Sequence, residues 1–78
     1  MTEIPNNAPK KGEVYKHYKG DAYEVVEIAL HSNDDSWMVV YKPLYENPAA
    51  SMFTRPLDEW RTEVEWEGNR VERFNLVK

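Results

Sequence analysis

The chain has no cysteine among its 78 residues. That excludes disulfides and thiolate metal sites and makes a reducing, cytoplasmic setting the natural expectation. No stretch approaches the roughly 20 apolar residues that cross a bilayer. The opening MTEIPNNAPKK has no apolar run behind a basic start, so neither a membrane span nor a signal peptide is expected. Lysine and arginine are missing from residues 21–41, where Asp21, Glu24, Glu27, Asp34 and Asp35 set a local charge of −5. Four lysines against two glutamates leave residues 1–20 at +2, within a net charge of −4. Phosphate-backbone binding needs clustered cations that displace counterions, so nucleic acid is a disfavoured partner and at most a weak one. No helical 3.6-residue stripe of useful length occurs, and there are no repeats.

What the chain does have is rings: five Tyr, three Trp and two Phe. Each can bury about 150–250 Å², which suits a small, shallow core near the lower size limit for an unstapled domain. Residues 1–11, with Pro5, Pro9 and only Ile4 to bury, read as a mobile tail. GEVYKHYKG alternates as a short strand closed at Gly20, which can take positive φ. AYEVVEIALHS is the longest strand candidate, and its pattern changes phase. Tyr23 and Val25 share one face, whereas Val26, Ile28 and Leu30 share the other, which calls for a bulge or a bend. SNDDS reads as a turn, WMVVYKPLY as a third strand and SMFTR as a fourth. Pro56 opens a helical turn that carries Trp60, whose ring should plug the core. TEVEW and RVERFNLV form a last hairpin with its corner at Gly68-Asn69. The expectation is all-β: a small SH3-like barrel of five to six short strands over residues 12–78, with one helical turn before the C-terminal hairpin. Closure would remove the exposed edges that Val- and Tyr-rich strands must avoid.

HYKG at 17–20, Tyr23 and Val25, Ala29 with His31-Ser32, VVY at 39–41, LY at 44–45, Arg55-Pro56 and Arg73-Phe74 follow one another in a characteristic order. Together they resemble the bacterial "domain of unknown function 1653" family over about residues 12–77. Two positions depart from the pattern: Phe53-Thr54 stands where the family has an aromatic-Val pair, and Glu59-Trp60 where it has Met-Phe. The resemblance implies an SH3-like barrel and brings no assigned activity.

His31-Ser32 resembles half of a hydrolytic site, but neighbouring side chains on a strand face opposite ways, so Ser32 is poorly placed to pair with His31. His17 and His31 lack paired metal-ligand spacing, and packing on tyrosine is the simpler role for either ring. No metal and no cofactor are therefore expected, and the chain is not expected to be an enzyme. The alternative, a small enzyme or enzyme-accessory domain using His17 and His31, would need an acid and a nucleophile beside them. Tyr15 and Tyr23 belong to the core by parity. Tyr18 and His17 sit beside the first turn, and the SNDDS turn with Trp37 and Tyr45 would form a second wall. Rings flanked by acids can hold an extended peptide, while Arg55 or Arg73 could fork onto a carboxylate or phosphate. The chain thus reads as a monomeric binding module for a protein segment or a small polar ligand. Its groove is expected to be lined by His17, Tyr18, Lys19, His31, Trp37, Tyr45 and Arg55.

Overall fold

A computed structural model describes residues 4–6 and 8–78. The fold is mostly β, with strands β1 (Val14–His17), β2 (Ala22–Leu30), β3 (Trp37–Pro43), β4 (Phe53–Pro56), β5 (Glu63–Trp66), β6 (Asn69–Glu72) and β7 (Phe74–Leu76), and one turn of helix, α1 (Leu57–Trp60). Five strands make one antiparallel sheet in the order β4-β3-β2-β1-β7, and β5-β6 form a separate hairpin. Among the described residues, no helix is long and apolar enough to cross a membrane.

The phase change in β2 is a bulge. The β2–β3 register shifts between Val25 and Glu27, so Val25 and Ile28, three residues apart, are both buried. Leu30, which shares the parity of Ile28, lies beyond the core at 43% exposure. The β1–β2 turn uses Gly20 at φ 113 as expected, and Pro56 precedes α1. Trp60 is 3% exposed. It stacks on Phe74 at 3.7 Å and meets Tyr15 and Tyr41 edge-on.

Three expectations need correction. The sheet does not close into a barrel through hydrogen bonds: β4 and β7 are its two edges, and among the described residues no ladder joins them. Side chains bridge the gap instead. Phe74 of β7 meets Tyr41 of β3 at 5.8 Å, Trp60 of α1 and, at 5.7 Å, the Arg55 guanidinium of β4. Seven strands replace the expected five to six because RVERFNLV breaks at Arg73. One strand cannot follow both β5 and β1, and Arg73 makes the change of sheet. Its N–H donates to the Thr62 carbonyl, and its own carbonyl accepts from the Tyr18 N–H, both at 3.0 Å. The hairpin corner is likewise Glu67-Gly68, at φ 53 and 82, rather than Gly68-Asn69.

The expected tail falls partly on residues 1–3 and 7, which lie outside the described residues. Nearer the first strand it is packed: Pro9 is buried and Ala8 lies against the core. Proline rings bury apolar surface without needing a backbone donor, so a segment poor in Leu and Val can still be held.

Candidate functional site

The curl of the sheet divides the seven residues expected to line one groove. His17, Tyr18, Lys19, Tyr45 and Arg55 belong to one connected set of side chains. His31 and Trp37 lie at the other end of β2 and β3, because β2 pairs Ala22 with the His17 end of β1 and carries nine residues before His31. At about 3.3 Å per residue the two histidines cannot meet.

His17 is the last residue of β1 and is partly buried. Its ring packs on Phe74 at 5.1 Å, Tyr18 at 4.4 Å and Tyr23 at 6.5 Å. Tyr18 in turn meets Trp66 at 5.2 Å, tying the β5–β6 hairpin to this face. Tyr23 extends it on the other side, where its hydroxyl hydrogen-bonds that of Tyr45 at 2.8 Å and Asn47 donates to Tyr45 at 3.1 Å. Burial, with the Tyr45 contact, drives the Tyr23 pKa above the ordinary phenol range.

The imidazole serves its own turn. The Lys19 N–H donates to His17 Nδ1 at 3.2 Å, which leaves the ring proton on Nε2. Burial pushes the His17 pKa below the ordinary 6.5, and the charges of Arg55, Arg73 and Lys19 push it further, with Asp21 opposing. Arg55 is 27% exposed and bonds Glu59 through Nη1 at 3.3 Å, while its Nε is buried without an acceptor. Glu59 and Phe74 thereby fix the guanidinium. Arg73 Nε donates to the Thr62 hydroxyl at 3.2 Å, and Lys19 lies 5.8 Å from the Tyr18 ring. Neither cation has a carboxylate partner within 4.0 Å among the described residues. In an acidic chain this face is cationic.

The other two expected residues are placed differently. His31 is exposed, its Nδ1 accepts the Asn33 N–H at 3.2 Å, and Asp34 lies 3.6 Å away. No hydrogen bond joins His31 to Ser32 among the described residues, so the hydrolytic pairing is not formed. Trp37 lines a cavity of about 240 Å³ beside Pro56 and Leu57. Among the described residues no three His, Asp or Glu side chains gather as a metal site requires. The residue that ties the His17 face together is Phe74, a member of the Arg73-Phe74 pair in the recognised series, which sequence reasoning did not place at the site.

A curled antiparallel sheet packed over a small aromatic core defines a small, mostly β domain. The family described as "Protein of unknown function (DUF1653)" matches residues 13–76, and the chain belongs to it. It is similar to a DUF1653 protein from Bordetella bronchiseptica known from a crystal structure, at 35% identity and a TM-score of 0.81 over 87% of each chain. No curated protein matches the chain.

Proposed function

We propose that this chain is a binding module for a small polar ligand or protein segment that presents a carboxylate, held at the face around His17. The observation that carries the reading is the sign of the charge there. Two cations without carboxylate partners and a third held in place converge on an imidazole whose protonation they oppose. The rings of Tyr18, Tyr23 and Phe74 give the same face apolar walls. Arg73, held through Nε by the Thr62 hydroxyl, is oriented in advance and loses less freedom on binding a planar carboxylate than a free arginine would. Binding rather than catalysis is favoured because the Lys19 backbone N–H engages His17 Nδ1 and, among the described residues, no side-chain hydroxyl hydrogen-bonds the ring. The bulged β2, the five-strand order and the helical turn before the C-terminal strands support an SH3-like arrangement of the sheet, closed by side chains. The lack of cysteine supports a cytoplasmic setting, and a monomer is the simplest state for such a module.

The test is a proton titration of the His17 ring by NMR, with citrate or acetate added at constant ionic strength. A bound carboxylate offsets the neighbouring cations, so the His17 pKa should rise with ligand concentration, and Arg73→Gln should remove the rise. If citrate leaves the titration where sodium chloride leaves it, the reading fails.

A further inference from the structure

Cavities of about 410, 270 and 240 Å³ all border residues 4–6 and 8–11, the stretch before the first strand. The first lies between this segment and Glu27-Ile28 of β2. The second runs from Pro9 to Tyr15, Trp60 and Phe74, and the third from Pro5 to Trp37 and Leu57. Arg61 lines both the second and the third, so the two adjoin along α1.

A segment that belonged to the core would leave few voids beneath it, because protein interiors pack densely. This one touches the core at Ala8 and Pro9 and leaves open clefts along the rest of its length. Its described backbone hydrogen bonds are local: Ala8 donates to Pro5, Lys10 donates to the Glu13 carboxylate, and Glu13 donates back to Lys10. None reaches a strand until Gly12 donates to Val25. What fixes it is apolar contact at Ala8 and Pro9, together with an exposed Lys11–Glu27 ion pair at 3.8 Å. Surface pairs of that kind contribute little.

The surface beneath has a distinct chemistry. Its floor is aromatic and aliphatic, and its rim carries Glu27, Glu72, Asp35 and Asp58. The cation on that rim, Arg61, is bonded to Asp58 at 3.2 Å. Rings flanked by acids suit proline and lysine together. Proline presents an apolar ring at low conformational cost and lysine answers the rim.

We propose that this track is a docking surface for a proline-containing, lysine-flanked segment of a partner protein, and that the chain's own residues 4–6 and 8–11 occupy it when the partner is absent. The track shares Phe74 with the His17 face but is opposite in charge and draws on different polar residues, so either reading can stand without the other.

The probe is a synthetic peptide of sequence MTEIPNNAPKK, added to the full-length chain while the indole signals of Trp37 and Trp60 are followed. Those signals should shift in a saturable way. Affinity should rise at least threefold for Pro9→Gly, which weakens the competing segment in cis, and a peptide carrying Lys10→Glu and Lys11→Glu should not bind. If Pro9→Gly does not fold, Lys11→Glu in the protein supplies the same comparison without touching the core. Three results would overturn the proposal. One is the absence of any indole shift at millimolar peptide in the native chain and the weakened variant alike. Another is equal binding of the charge-reversed peptide. The last is concentration-dependent dimerisation without peptide, which would make the occupant the same segment of a second copy.

Discussion

His17 and His31 terminate β1 and β2 in nearly the same way. Each donates its backbone N–H across the following turn at 2.7 Å, to Asp21 and Ser36 respectively. Each accepts the amide two residues on through Nδ1 at 3.2 Å, and each turn holds one residue at positive φ, Gly20 in the first and Asp35 in the second. Beyond the turns the likeness ends. His17 lies against Phe74 among cations, whereas His31 is exposed with Asp34 beside it. The lesson is that a histidine closing a hairpin has the same local task wherever it stands, and its chemistry is set by what the sheet folds against it.

Trp60→Ala tests the comparison hardest. Phe74 is stacked on Trp60 and packs on His17, so the loss should reach the first turn and leave the second nearly untouched. Replacing a buried ring costs about 3–5 kcal/mol, close to the whole stability of a domain this small. Chemical denaturation measures the loss, and two-dimensional NMR of a partly folded population shows which turn moves. Equal disturbance of the His31 turn would erase the distinction.

The pH dependence sharpens it. The His17 pKa lies below 6.5 in the fold, so between that value and 6.5 the unfolded chain binds more protons. The contribution is fully present above about pH 6.5 and is lost as the pH falls through the folded value. At the other turn, hydrogen bonds from the Ser36 hydroxyl and N–H hold the Asp34 carboxyl below its ordinary 3.8. That contribution is present above about pH 4 and disappears only in stronger acid. Melting temperature against pH should therefore lose its slope just below neutrality in His17→Gln. The smaller effect should be the loss of part of the acid limb in Asp34→Asn. If both substitutions flatten the same limb, the two turns do not differ as described.

What could be read in advance follows the range of the interaction. The β2 bulge was legible because Tyr23-Val25 and Val26-Ile28 break a period of two, and a period is local. Trp60 was legible because Pro56 marks a helical start one turn earlier. The grouping of site residues was not. Arg55 comes near His17 only because the β4 edge curls back toward β7, a contact between distant parts of the chain with no local pattern. The break at Arg73 was hidden because RVERFNLV alternates acceptably on both sides of it, and only the need to pair with two partners divides it. The packing of Pro9 is illegible for another reason: its burial comes from ring surface, which a count of aliphatic residues does not register.

Arg73 also sets how the molecule comes apart. None of the eight residues in β5 and β6 is buried, and the hairpin is tied to the rest by the Thr62–Arg73–Tyr18 backbone relay, the Asn75 side-chain amide on the Glu72 carbonyl and the contact of Trp66 with Tyr18. A unit with so few apolar anchors opens at a lower free energy than the sheet it leans on. Amide protons of Val64 and Val71 should therefore exchange with deuterated solvent well ahead of those of Val25 and Val39. The Arg73 amide marks the boundary, closed while the hairpin is docked and released with it.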